Sequence, residues 1–280
     1  MIHPLKAKTT IVGLGLTPMG RVYDTPMGFA VEAVRLALDD AGLERKDVDG
    51  LSLNPGLAWG DVPMASFALQ QALGLRNLRY STTMNIGGAT AGAMIQQAAL
   101  AIEAGIADTI VCVFSDAPLK PPKTERDGKA KSGGSASAYG FARGLSAAYG
   151  QFGVNALYAM VARRHMHEYG TTNDHLGAVA VAQRAWANRN PAAQFYDHPL
   201  TLDDYHRSRW IVEPFHLLDC CLVSNGGAAV IVTRTERAKS LRQPPVYLWG
   251  FGQGHPGGDP ADTLTSGAPL AKQTAFAMAG

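Results

Sequence analysis

Apolar residues in this chain fall into short buried runs separated by amphipathic stretches, a pattern of strands alternating with helices. Thr9–Gly15 predicts a buried strand that runs into a glycine turn. Gly28 to Ala41 predicts an amphipathic helix with Ala30, Ala33, Val34 and Leu36–Leu38 as its apolar stripe, and Gly42 stands at its stop. Val48–Leu53 predicts a second strand, roughly Met64 to Leu73 a helix, and Leu78–Thr83 a third strand. An alanine-rich helix is predicted from Gly88 to Ala104. Asp108–Phe114 then reads as a fourth strand, with the unbroken apolar run of a sheet covered on both faces. This alternation predicts a layered α/β domain.

Beyond that strand the pattern breaks. Pro118 to Ser137 is rich in Pro, Gly, Ser and Lys and reads as an exposed loop. Two helices follow, Val154–Glu168 and Asn173–Asn188, then turn-rich segments around Asn190–Pro191 and Asp197–Pro199. Gly226–Val232 returns to the sheet as a fifth strand, so about a hundred residues are inserted before it. Val246–Phe251 resembles the opening strand with its glycine, and a helix from about Leu270 follows. The expected organisation is a first half formed by 1–117 with 222–243, an insertion over 118–221, and the start of a second, similar half over 244–280. A lone strand and helix cannot bury both faces, so that second half is expected to be cut short in this chain.

Composition narrows the classes. With 280 residues, 46% of them hydrophobic, the chain can build a substantial core. A net charge of +2 gives no electrostatic case for nucleic acid. No run reaches the length of a membrane span, and the N-terminal residues have no apolar stretch of signal-peptide length. Three cysteines, Cys112, Cys220 and Cys221, are no disulfide framework, which predicts a reducing cytoplasm.

The third strand, the tight turn at Met84–Gly87 and the alanine-rich helix form an elbow of the kind that presents a nucleophile. Amides and dipole at such a helix start depress a thiol pKa, yet no thiol is there. Among the other candidates, Cys112 reads as a core residue. Cys220 and Cys221, just before the buried fifth strand, read as inert core thiols. His165 and His167 point to different helix faces and make no zinc pair. Gly13-x-Gly15 lacks the third glycine of a dinucleotide fingerprint.

In several stretches the sequence resembles the thiolase superfamily, nearest to its sterol-carrier-protein thiolase and lipid-transfer-protein branch. These are Gly13–Gly20, Met166–Thr172, Pro199–Leu202, Ser208–Arg209, Pro214–Cys221 and Ser224–Ala229, in the family's order. In the last of them Asn225 replaces the branch's usual aspartate. The resemblance implies a thiolase-like layered α-β-α-β-α sandwich of two repeated halves, usually a homodimer, acting on acyl-CoA thioesters. It places the nucleophilic cysteine of the family on Gly88, where no side chain can be acylated. Some branch members that lack the cysteine are aldolases. They cleave a β-hydroxyacyl-CoA steroid side chain with a small OB-fold partner of the DUF35 type.

The resemblance therefore implies retro-aldol cleavage, which needs a base and an oxyanion site but no thiolate. Gly88 and neighbouring Asn85 are the candidate site residues. A packing glycine in an inactive site is the bland alternative. His255 in His255-Pro256-Gly257, which resembles the family's glycine-histidine-proline triplet, is kept as a catalytic candidate although it comes too early in the chain for the family's histidine. Lys123, Arg126, Lys129 and Lys131, with Ser132, Gly133 and Ser135, are candidates for holding the CoA phosphates. No metal and no covalently bound cofactor is expected, the CoA thioester being substrate. The alternatives are a non-catalytic acyl-CoA-binding or partner subunit, and an acyltransferase.

Overall fold

The computed structural model describes residues 3–60, 62–122, 148, 153–255 and 264–280. In chain order the elements are β1 (Thr9–Leu16), α1 (Pro26–Ala41), β2 (Gly50–Pro55), α2 (Ala65–Leu73), β3 (Tyr80–Thr83), α3 (Thr90–Glu103) and β4 (Thr109–Asp116). Then come α4 (Val154–Tyr169), α5 (Asn173–Ala187), α6 (Leu202–Arg207), β5 (Trp210–Val212) and β6 (Phe215–His216). The chain continues with β7 (Gly226–Arg234), α7 (Thr235–Ala238), β8 (Val246–Tyr247) and α8 (Ala268–Ala279). It divides into two compact units.

In the larger unit six strands form one sheet in the order β3-β2-β4-β7-β1-β8. β2 runs parallel to β3 and β4, whereas β7 lies antiparallel between β4 and β1. One face is covered by α1 and α2, which bury Val12, Leu51, Leu53, Val111, Val113 and Ile231. The other is covered by α3 over Ile110, Cys112 and Val232. Each such fully buried aliphatic side chain is worth about 1.5–3 kcal/mol. α1 starts where Thr25 accepts a bond from the Gly28 amide (2.9 Å) with Pro26 in the first turn, and stops at Gly42 in the left-handed conformation.

The strand glycines set how closely the first layer packs. A Cβ on Gly13 or Gly15 would collide with the carbonyl oxygens of Ala37 and Ala33 on α1. Gly250 and Gly252, just past β8, stand in the same relation to Ala275 and Ala271 on α8. In both cases a glycine-x-glycine segment lies on a pair of helix alanines four residues apart. Lys6 ties the ends of the chain together, donating to the carbonyl of Ala279 and lying over the Trp249 ring.

The smaller unit carries α4, α5, α6 and the β5–β6 hairpin around Tyr205, which has no exposed surface. The Tyr205 hydroxyl donates to Asp219 (2.9 Å) and accepts from Asn173 Nδ2 (3.2 Å). Gly177 leaves no room for a Cβ against Leu202 and Tyr205. His216, also buried, is stacked on Trp210 with ring centroids 3.6 Å apart.

Some expectations change. α3 begins at Thr90, two residues after Gly88, because Gly87 is left-handed and Ala89 is the cap residue. β8 is two residues long, because only Val246 and Tyr247 pair with β1 before the chain turns onto α8. The inserted region also holds a short helix and a hairpin that weak periodicity concealed. Cys221 is exposed and Cys220 half-buried, so neither is an inert core thiol. Their segment leaves a 3-10 turn at Leu217–Asp219 and has not yet entered the strand.

Candidate active site

The elbow is made by one threonine and one left-handed glycine. β3 ends at Thr83, and the Met84 amide still bonds the Leu53 carbonyl of β2 (2.9 Å). Thr90, fully buried, accepts from the Ile86 amide (2.9 Å) and donates its hydroxyl to the Gly87 carbonyl (2.6 Å). The Asn85 side-chain oxygen accepts from the Gly87 amide (3.1 Å). Gly87 itself has φ +71°, which favours glycine there. The sharp turn is thus explained without Gly88.

Gly88 is different. Its φ is not in the left-handed range, it is exposed, and among the described residues an added Cβ would meet no atom within 4 Å. Neither the backbone nor packing against the described residues demands a glycine at this position. Just beyond it the amides of Ala91 and Gly92 lie in the first turn of α3, ahead of any helical acceptor, at the positive end of the helix. Among the described residues the side-chain NH2 of Asn85 has no partner, so it too is available as a donor beside Gly88.

An apolar surface lies on the same sheet face as α3. Leu16, Ala228 and Phe114 are register neighbours across β1, β7 and β4, and Leu14 pairs with Val230. α3 covers Ile110 and Cys112 on that face, while Leu14, Leu16 and Phe114 farther along it are exposed. A separate groove of about 700 Å³, lined by Leu38, Leu43, Leu73, Arg45 and Arg76, has no elbow residue in its wall.

No thiol of this unit can replace the missing nucleophile. Cys112 is buried in β4, and burial pushes its thiol up to about 12. His255 is exposed and bonded to Gln253 (2.9 Å), which in turn donates to Gln96 on α3 (2.9 Å). Among the described residues no hydrogen bond joins it to Asn85 or Gly88. Lys123, Arg126, Lys129, Lys131, Ser132, Gly133 and Ser135 lie outside the described residues. Among the described residues no group of three or more His, Cys, Asp or Glu is placed to hold a metal ion.

Asn225 has a structural task the sequence left unassigned. It is 1% exposed, accepts from the Leu119 amide (2.8 Å), and its Nδ2 donates to the carbonyls of Val22 (2.8 Å) and Leu119 (2.9 Å). It clamps the chain leaving β4 against the loop after β1 and the start of β7. Its departure from the branch's aspartate is the signal that could have pointed to it, since only an amide can donate to both carbonyls.

No family model matches the chain. The chain is 40% identical over 257 residues to the steroid side-chain-cleaving aldolase of Thermomonospora curvata, covering 89% of this chain and 63% of that protein. It is 36% identical over 256 residues to the 17-hydroxy-3-oxo-4-pregnene-20-carboxyl-CoA lyase of Mycobacterium tuberculosis, covering 89% and 64%. The chain therefore spans somewhat less than two thirds of these relatives. Among solved structures it matches the Ltp2-ChsH2(DUF35) aldolase with a TM-score of 0.81 and 36% identity, over 99% of this chain and 70% of that one.

Proposed function

Because this chain belongs to the thiolase superfamily, in its sterol-carrier-protein thiolase and lipid-transfer branch, we propose that it is part of a carbon–carbon lyase that cleaves a β-hydroxyacyl-CoA by retro-aldol chemistry. A base removes the β-hydroxyl proton, and the bond between the α and β carbons breaks. The β carbon leaves as a ketone or aldehyde, and the electron pair passes into the thioester as an enolate. Protonation of its α carbon gives the shortened acyl-CoA. The protein's task is to hold the enolate oxygen, and donors at a helix start suit that charge. The amides of Ala91 and Gly92 and the side-chain NH2 of Asn85 supply them.

The observation that carries this reading is the open space at Gly88. A thiolase needs a sulfur at the elbow to hold the acyl group. An aldolase needs room for the thioester. One relative's name is that of an aldolase that cleaves a steroid side chain, and the other's is that of a lyase of a 17-hydroxy steroid carboxyl-CoA, which supports this reading. The CoA phosphates are assigned to the basic segment with Lys123, Arg126, Lys129 and Lys131.

Two features support the assembly we propose, a homodimer acting with a DUF35-type OB-fold partner. β3 is one of the two outer strands of the sheet, and among the described residues no strand pairs with its free edge. The matched Ltp2-ChsH2(DUF35) structure, as its name says, joins an aldolase to a DUF35 protein. The matching glycine–alanine contacts of β1 on α1 and of Gly250–Gly252 on α8 support reading 244–280 as the opening of a second half. Among the described residues no helix is long and apolar enough to cross a membrane, and a cytoplasmic location is the proposed setting.

The test incubates the full-length protein and its partner with 17-hydroxy steroid-20-carboxyl-CoA substrates. Release of the 17-ketone together with a short acyl-CoA, with no added free CoA, is expected. Dependence on free CoA, or an acylated protein peptide, would overturn the reading in favour of an acyltransferase. No turnover would favour a non-catalytic subunit.

A further inference from the structure

In the smaller unit Cys220 caps the 3-10 turn Leu217–Asp219 and Cys221 follows it directly. Both thiols are free. Cys220 Sγ accepts from Asn155 Nδ2 (3.6 Å), in the first turn of α4, and its S–H donates to the His216 carbonyl (3.7 Å). The neighbouring Asp219 is fixed, taking the Tyr205 hydroxyl (2.9 Å) and the His216 amide (2.7 Å) on one carboxylate oxygen. One sulfur is thus seated between the turn and α4, and the adjacent one faces solvent.

We propose that Cys220 and Cys221 are a redox-modification site, a vicinal dithiol that hydrogen peroxide or a related hydroperoxide closes into a disulfide within the dipeptide. Cys221, being exposed, meets the oxidant first. Its sulfur attacks one peroxide oxygen, the O–O bond breaks, a sulfenic acid forms and one water leaves with the Cys221 proton. Cys220 Sγ then attacks the Cys221 sulfur. The S–S bond forms, the S–O bond breaks, and a second water carries off the Cys220 proton. Two thiols and one peroxide give one disulfide and two waters.

The geometry suits Cys220 to the second step. Burial first, and the Asp219 carboxylate next, hold its thiol above the usual cysteine range. It stays protonated until the sulfenic acid is beside it. Closing the ring has a structural consequence, because Sγ must turn toward Cys221. Asn155 and the His216 carbonyl then lose their shared partner, and the first turn of α4 is released from the 216–221 segment. Strained, exposed disulfides of this kind are the readily reduced ones, so the change reverses under thiols.

The experiment treats reduced full-length protein with hydrogen peroxide, alkylates it under denaturing conditions and digests it with trypsin. The peptide Trp210–Arg234 carries both cysteines. It is expected unalkylated and about 2 Da lighter than the dithiol form, for two lost hydrogens, and dithiothreitol should restore it. The Cys112 peptide should be alkylated in every sample. Persistent double alkylation, a sulfinic acid fixed at Cys221, or a disulfide between chains would overturn the proposal. Amide exchange of the first turn of α4 should rise at least about threefold in the oxidised protein, and not in peroxide-treated Cys221→Ser. Unchanged exchange in a fully oxidised sample would overturn the coupling to α4.

Discussion

Replacing Asn225 by aspartate, the residue its branch of the superfamily usually carries, removes one functional group and nothing else in shape. In this chain that group is the Nδ2 amide that bonds the carbonyls of Val22 at 2.8 Å and Leu119 at 2.9 Å. The side-chain oxygen still accepts from the Leu119 amide. An ionised carboxylate would leave two carbonyl acceptors without a donor and set its own charge against them, at a position that is 1% exposed. Each orphaned acceptor costs about 1–3 kcal/mol, and an unpaired buried charge adds to that. The expected loss at pH 8 is about 3–5 kcal/mol.

Protonation repairs half of the damage, since the carboxylic acid can donate to one of the two carbonyls. At pH 4 the loss should be only about 1–3 kcal/mol. The difference of about 2 kcal/mol, at about 1.4 kcal/mol per tenfold change in proton concentration, places the carboxyl introduced by Asn225→Asp near pH 5.5. The sign follows from that raised value. The folded state of the variant binds a proton more tightly than the unfolded chain, so its stability falls as pH rises from about 4 through about 5.5 and is level above. Urea denaturation of wild type and variant at pH 4, 6 and 8 measures this. A variant within about 1 kcal/mol of wild type at pH 8, or a deficit that does not change with pH, would refute the donor argument.

Gly88→Ala should fold and gain about 0.4–1 kcal/mol, because its backbone and surroundings accept a Cβ. It should nonetheless lose retro-aldol turnover by about tenfold or more, seen in product release against a thermal melt. Gly250→Ala should cost about 1–3 kcal/mol by forcing the segment after β8 off the Ala275 carbonyl, measured by denaturant midpoint. Tyr205→Phe leaves Asp219 and Asn173 each short of a partner and should cost about 1–3 kcal/mol in the melting of the smaller unit. Asp204 is held down to about 2, chiefly by the Thr201 hydroxyl and then by Arg207. Its stabilisation of α6 should be complete above the ordinary carboxylate range and fade as pH falls toward 2. A carboxyl resonance titrating at the ordinary value would refute this.

The strand and helix alternation was legible because β2, β4 and α1 bury continuous or evenly spaced apolar residues, a signal that survives without tertiary context. The start of α3 was not, because a left-handed Gly87 and a bonded Thr90 decide it, and both are hydrogen-bond facts. The exposure of Cys221 was hidden for a related reason, since a 3-10 turn two residues upstream has no apolar period. At Gly88 the sequence showed only that a side chain was missing. A missing side chain has two meanings. It can be forced by a neighbour, as at Gly15 beneath Ala33, or it can leave a void. Gly15 would lose its helix if it carried a methyl, whereas Gly88 would lose nothing among the described residues. A glycine there costs conformational entropy in folding and, among the described residues, makes room that no side chain fills. If it has a use, the use is for a molecule that comes from outside, and the donors beside it at Asn85, Ala91 and Gly92 suit an oxygen that acquires negative charge.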